Sequence, residues 1–231
     1  MKGKLYGIGV GPGDSELLTI KAIKIIEKCD IIATPGGSDS ELAYNIVKNY
    51  LKDKEVITCE FSMSKDLSTR VTYRKRACEQ ICDILDTGKT VGFLTIGDPT
   101  VYSTYMYVHN MVKNIGYETE IISGIPSFVA AAGRLNTSLC EGEQMLHIIP
   151  TSKITKEEIR KVLNYQGNKV FMKSARNIKN LLEVLDEEKL ENVSIVERCF
   201  LEGEKMFYNI KDVTEKDLGY FTVVIVKNNI K

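Results

Sequence analysis

The chain has 231 residues, 43% of them hydrophobic, which is enough apolar material for one large domain or two small ones. Its 31 basic and 31 acidic side chains cancel, which removes the long-range field that draws proteins to nucleic acid or anionic membranes, so any anion must be held locally. No apolar run approaches the roughly 20 residues that span a bilayer, and the opening MKGKLYGIGVGPGD lacks a signal-peptide core, so a cytoplasmic protein is expected.

Lys4–Val10 reads as a strand running into glycines. Leu18, Ala22, Ile25, Ile26 and Cys29 then recur at helical spacing before a second apolar run, Ile31–Ala33, which makes a β-α-β opening. Between Lys65 and Asp86 the positions Val71, Cys78, Ile81, Cys82 and Leu85 mark one helix face, with Gly88 placed to end it. Strand Val91–Thr95, helix Val101–Lys113, strand Glu118–Ile122 and helix Pro126–Leu135 follow, and this alternation predicts a largely parallel sheet.

After Gly142 the pattern restarts with strand Met145–Ile149, helix Thr155–Leu163, strand Lys169–Met172, helix Asn177–Leu185 and strand Ser194–Glu197. It closes on the β-rich runs Lys205–Asn209 and Tyr220–Val226, which predicts a mixed sheet with an antiparallel edge. The fold class is therefore α/β in two domains, 1–122 and 123–231, with the junction near the Ser123–Pro126 turn. Six cysteines (Cys29, Cys59, Cys78, Cys82, Cys140 and Cys199) form no CxxC pair, and buried free thiols are expected in preference to disulfides or a metal site.

Three glycine-bearing turns follow predicted strands. The first, Gly7-Ile8-Gly9-Val10-Gly11-Pro12-Gly13-Asp14, invites a dinucleotide-binding reading, but the GxGxxG frame fails in both registers, where Pro12 or Asp14 stands in place of the third glycine. A tight turn with packing glycines and no ligand accounts for it equally well. The second, Thr95-Ile96-Gly97-Asp98-Pro99-Thr100-Val101-Tyr102, sits at the strand edge where open α/β sheets bind ligands, although Asp98 could equally cap a helix over Thr100 and Val101. The third is Ser123-Gly124-Ile125-Pro126-Ser127-Phe128, and together the three would line a crevice.

The opening GIGVGPGDSELLTIKA resembles the N-terminal signature of the tetrapyrrole methylases, and GDPTVYSTY and SGIPSF resemble that family's second and third loops. FLTIGDPTVYSTYMY, AAAGRLNTSLCEGEQ, VFMKSARN, VERCFLEGE and YFTVVIV are similar to its C20-specific branch, so the likeness runs in order along essentially the whole chain. It implies two α/β domains with S-adenosylmethionine held in the cleft between them, a homodimer, and methyl transfer to C20 of precorrin-2 or cobalt-factor II in cobalamin synthesis. By that likeness Pro12 closes one side of the donor pocket. Backbone around Ile96, Gly97 and Asp98, with Val101 and Tyr102, holds the methionine part; Pro126 and Ser127 flank it; and Met172, Arg198, Cys199 and Thr222 surround the adenosine. Each has a structural alternative: a turn for the prolines, core for Met172 and Thr222, a surface ion pair for Arg198.

The acceptor's acetates and propionates call for local cations. Lys65, Arg70, Arg74, Lys75 and Arg76 are candidates, but a solvated helix face paired with Glu79 and Asp83 explains them as well. Lys173 and Arg176, just beyond a predicted strand, are better placed to bind substrate. His109 and His147 fall within predicted elements and read as structural. Uroporphyrinogen methylases of the family carry an aspartate in the loop after the second strand. Here that loop reads Ala33-Thr34-Pro35-Gly36-Gly37-Ser38, with no carboxylate before Asp39, so no catalytic base is named. The other readings are methylation at another ring position, a diphthamide- or RNA-directed relative, and a non-catalytic donor- or tetrapyrrole-binding module.

Overall fold

In a computed structural model the chain forms two compact α/β units, Met1–Pro126 and Ser127–Lys231. The structure describes residues 2–228 except Met63 and Lys65, and only the backbone of residues 38–40.

The first unit is a five-stranded sheet of β1 (Lys4–Gly9), β2 (Ile31–Pro35), β3 (Glu55–Cys59), β4 (Val91–Thr95) and β5 (Glu118–Ile122). All strand pairs are parallel, in the order β3-β2-β4-β1-β5. A parallel sheet needs both faces covered. Accordingly α1 (Ile20–Lys28) and α2 (Ser38–Leu51) pack with Tyr6, Ile8, Ile32 and Leu94 on one face, while α3 (Leu67–Asp86) and α4 (Tyr105–Ile115) pack with Leu5, Ala33, Val91 and Phe93 on the other. The chain leaves β1 for the first face and its neighbour β4 for the second. Adjacent strands with diverging connections leave a crevice at their carboxyl ends, where open α/β sheets take ligands.

Two elements here went unread in the sequence. Helix α2 starts from Gly37 at φ +84° with no side-chain cap, and β3 is a mostly exposed edge strand. Gly88, at φ +86°, does terminate α3, one residue past its last cap. The helix expected from Val101 begins only at Tyr105, because residues 101–104 are drawn into a turn under Asp98.

The second unit contains α5 (Ser127–Arg134), β6 (Leu146–Pro150), α6 (Lys156–Leu163), β7 (Asn168–Met172), α7 (Ile178–Glu187), β8 (Val193–Glu197), β9 (Lys205–Phe207) and β10 (Val223–Val226). Its sheet order is β6-β7-β10-β8-β9; β6 and β7 are parallel, and the other pairs are antiparallel. β9 forms the expected antiparallel edge, whereas the last strand inserts centrally between β7 and β8. That position suits its fully buried VVIV sequence. Thr155 and Glu158 form a reciprocal capping box at the start of α6, and α6 and α7 cover one face through Ile159, Leu181, Val184 and Leu185.

All six cysteines are free, with the Cys78 and Cys82 sulfurs 4.0 Å apart on α3. Among the described residues no group of three or more His, Cys, Asp or Glu side chains could hold a metal, and no helix is long and apolar enough to cross a membrane.

Candidate functional site

Three loops at the carboxyl ends of β1, β4 and β5 are bound to one another. Gly11 and Gly97 exchange backbone hydrogen bonds of 3.2 and 2.7 Å, and the Val10 N–H donates to the Thr95 carbonyl at 2.9 Å. Asp98, only 7% exposed, accepts from the Thr100 N–H at 2.8 Å through one oxygen and from the Gly124 N–H at 3.0 Å through the other. The Asp98 carboxylate is thus an internal clamp between the second and third loops, and its backbone is what remains for a ligand. A Cβ on Gly9 would stand 2.5 Å from the Gly124 nitrogen, and one on Gly124 would stand 2.2 Å from the Gly97 oxygen. Gly7 lies under the Tyr105 ring, where a Cβ would meet Cε1 at 2.0 Å. Gly7 and Gly9 therefore serve close packing, and with Gly124 and Gly97 they let three backbones interlock.

Around this junction Pro12 is buried, Ile96 and Pro126 are half-buried, Gly97 has φ +73°, and Val101 donates its N–H to the Asp98 carbonyl at 3.2 Å. Tyr102 stands at φ +49° with 38% of its surface exposed. The segments 9–14, 95–102 and 123–127 contain no lysine or arginine. The Thr95 hydroxyl, at the tip of β4, is buried without a hydrogen-bond partner among the described residues.

In the second unit β7 and β8 both run antiparallel to β10, so their carboxyl ends and the start of β10 share one sheet edge. That edge gathers Met172, Lys173, Arg198, Cys199 and Thr222, with Arg176 in the turn before α7; Ser127 opens α5. Met172 is half-buried and its carbonyl is taken by the Thr151 N–H at 2.8 Å, which leaves its side chain as the available group. Lys173 and Arg176 are exposed. The Arg198 Nε donates to the Glu202 carbonyl at 2.7 Å, which lays the guanidinium along its own loop. Burial, with Glu204 adding to it, pushes the Cys199 thiol up to about 12, so it is an inert apolar group at neutral pH.

Thr222 is buried, and its hydroxyl is engaged by the Glu197 carboxylate and by the Gly219 carbonyl at 2.9 Å, so only its backbone is available to a ligand. Glu197, 6% exposed, also accepts from the Gly219 N–H at 3.0 Å. Glu197 was not singled out in the sequence, because nothing local marks a strand-end residue whose partners lie 22–25 positions away, whereas Thr95 was read only as the first residue of the second turn.

Backbone strain follows the same edges. Of the non-glycine residues with positive φ, Lys52, Asn136 and Lys189 follow helices, where a left-handed residue ends the element. The others, Tyr102, Lys173, Arg198 and Phe200, stand in the segments that follow β4, β7 and β8, at a backbone cost of about 1–3 kcal/mol each.

The basic run of α3 divides in two. Arg70 and Arg74 are half-buried and continue the inward stripe Ala77, Ile81, Leu85, while Lys75 and Arg76 are exposed. Among the described residues none of the four is ion-paired, so the expected pairing with Glu79 and Asp83 does not form. Lys65 and the Asp39 side chain lie outside the described residues. His109 is structural: Nδ1 is 3.0 Å from the Tyr105 hydroxyl and Nε2 3.4 Å from that of Thr119. Burial, reinforced by Lys113, lowers its pKa. His147 Nε2 bonds the Gln166 carbonyl at 2.8 Å.

Residues 4–214 match the family model of the Tetrapyrrole (Corrin/Porphyrin) Methylases. The chain is 34% identical to a protein of Methanocaldococcus jannaschii named probable cobalt-precorrin-2 C(20)-methyltransferase, over 97% of this chain and 96% of that one. It is 30% identical to the cobalt-precorrin-2 C(20)-methyltransferase of Salmonella typhimurium, over 98% and 97%. The crystal structure of a cobalt precorrin-4 methyltransferase superposes with a TM-score of 0.77 at 20% identity, covering 97% of this chain and 94% of that one, which is a likeness of fold.

Proposed function

Because the chain belongs to the tetrapyrrole (corrin/porphyrin) methylase family, we propose that it transfers a methyl group from S-adenosylmethionine to C20 of precorrin-2 or its cobalt-bearing form, in cobalamin biosynthesis. The observation that carries this reading is agreement at 30–34% identity along nearly the full length of two relatives named for that reaction. The same reading makes it a cytoplasmic homodimer.

S-adenosylmethionine, when bound, supplies a methyl group activated by a positive sulfonium. The loops of the first unit suit such a donor: they carry Asp14 and Asp98 and no cation, so no like charge opposes a sulfonium there. Backbone at Ile96, Gly97 and Asp98, with Val101 and Tyr102, would hold its methionine part, and Pro12, Pro126 and Ser127 would bound it. The side chains of Met172 and Cys199, the Arg198 guanidinium and the Thr222 backbone would receive the adenosine, and Lys173 and Arg176 would meet acceptor carboxylates. Displacement at a sulfonium asks the protein mainly to align donor and acceptor and exclude water, and loops locked backbone to backbone hold such an alignment without reorganising.

The test is a pair of anaerobic assays with methyl-labelled donor, one on metal-free precorrin-2 and one on the cobalt form. Label in either ring supports the reading and identifies the acceptor form. Calorimetric donor binding with transfer to neither would replace it with a non-catalytic module or a different acceptor.

A further inference from the structure

The first three turns of α3 carry a cluster of cations. α3 has no acidic residue in its first turn, its N-cap carboxylate Asp66 is bonded to Ser68 and Thr69, and Arg70, Arg74, Lys75 and Arg76 follow within three turns. None of these four cations has an ion pair among the described residues. Arg70 and Arg74 also occupy inward positions of the stripe that Ala77, Ile81 and Leu85 fill with core, so solvation does not account for them.

Because β3 and β4 are parallel members of one sheet, the helix between them runs back along it and its first turns lie at the carboxyl edge. Thr95 ends β4 at that edge, with the alternation that puts Val91 and Phe93 on the α3 and α4 face. Three buried side-chain polar atoms lack a hydrogen-bond partner among the described residues, and two of them, the Arg70 Nε and the Thr95 Oγ1, belong to this corner. A buried donor without a partner is costly, and native proteins seldom retain one without a ligand or water to satisfy it. Arg74 stacks its guanidinium 3.4 Å from the centroid of the Tyr107 ring, an arrangement that fixes the plane while leaving its in-plane N–H groups to grip a carboxylate.

We propose that Arg70, Arg74 and the Thr95 hydroxyl form a carboxylate seat on the first unit, which takes acetate or propionate side chains of the acceptor ring. This rests on the methylase reading above and adds to it a site separate from Lys173 and Arg176. Two guanidiniums and a neutral hydroxyl on one sheet corner recognise a carboxylate-rich ring edge in an otherwise charge-neutral protein.

Steady-state kinetics on the acceptor, with donor binding by calorimetry, test the seat in Arg70→Met, Arg74→Met and Thr95→Val, with Lys24→Met on α1 as a charge control. Each arginine variant is expected to raise the acceptor KM about tenfold or more, and Thr95→Val several-fold, with donor affinity unchanged. Thr95→Val should also melt no lower than the wild type, since it removes an unpartnered buried hydroxyl in a near-isosteric exchange. Unchanged acceptor KM in Thr95→Val and Arg74→Met overturns the seat even if Arg70→Met fails to fold, as does a loss of donor affinity in place of acceptor affinity. A wild-type protein that methylates neither ring form refutes the methylase reading itself. The seat is then judged by fluorescence titration with uroporphyrin, whose eight carboxylates should bind the wild type and lose about tenfold in Arg74→Met; equal binding rejects it.

Discussion

Alanine at Gly124 tests the interlocked loops most sharply. The added Cβ would sit 2.2 Å from the Gly97 oxygen, 2.7 Å from the Gly9 carbonyl carbon and 2.8 Å from the Gly9 Cα, all backbone atoms that no rotamer change can move aside. Relief requires the loops to separate by roughly 1 Å, at the 1–3 kcal/mol typical of overpacking. Separation also stretches the 3.0 Å bond from the Gly124 N–H to the buried Asp98 carboxylate, a charged hydrogen bond of about 1.5–3 kcal/mol. The sum, about 2.5–6 kcal/mol, corresponds to a fall in Tm of roughly 5–24 °C for a chain of this size. Because the displaced backbone is that proposed to hold the donor, affinity for S-adenosylmethionine should fall about tenfold or more. Thermal unfolding and calorimetry read the two effects. A Gly124→Ala protein that melts within about 2 °C of wild type and binds the donor equally well would refute the interlocked-loop account.

Gly133, inside α5 with no atom within 4 Å of where a Cβ would stand, behaves oppositely: Gly133→Ala should stabilise by about 0.5–1 kcal/mol in urea unfolding, and a loss would mean that helix is misjudged. His109 is kept neutral by burial, with its pKa below the unfolded value of about 6.5, so its contribution is complete above that pH and is lost as pH falls below it. Wild-type stability should drop between pH 7.5 and 5.5 while His109→Gln gives a flatter profile, and parallel profiles would exclude the buried histidine as the cause. Arg198→Ala removes an exposed guanidinium at a strained position, and should weaken donor or acceptor binding about tenfold with Tm nearly unchanged; wild-type kinetics would return Arg198 to a purely structural role in its loop.

What the sequence revealed depended on how local the deciding interactions were. β4 was legible because a short apolar run stands between glycine turns, and β5 because Gly116 and Gly124 bracket a short β-type segment. α2 and β3 were not, since Gly36-Gly37 reads as open loop and the EVITC strand is largely exposed. The start of α4 was set four residues early, because Val101–Thr104 fits a helical pattern until the Asp98 backbone and carboxylate fold it into a turn. The central place of β10 depends on pairing with strands more than 25 residues away, which no window of sequence contains.

The candidate site divides in the same way. Glycines and prolines punctuate its three loops and made them visible, but the same residues could not reveal that Gly7 and Gly9 serve packing against Tyr105 and Gly124. Arg70 and Arg74 fall at helical spacing with Ala77, Ile81 and Leu85, but charge led them to be grouped with the solvent-facing Lys75 and Arg76. Thr95 and Glu197 gain their significance from what surrounds them in space: an absent partner for one, and the Gly219 and Thr222 groups for the other.

The most direct measurement is anaerobic turnover with 13C-methyl S-adenosylmethionine on precorrin-2, metal-free and cobalt-loaded, with the product mapped by NMR. The account predicts a single new methyl resonance coupled to C20 in at least one ring form. Label at any other ring carbon, or a donor-binding protein that labels neither ring, would contradict it.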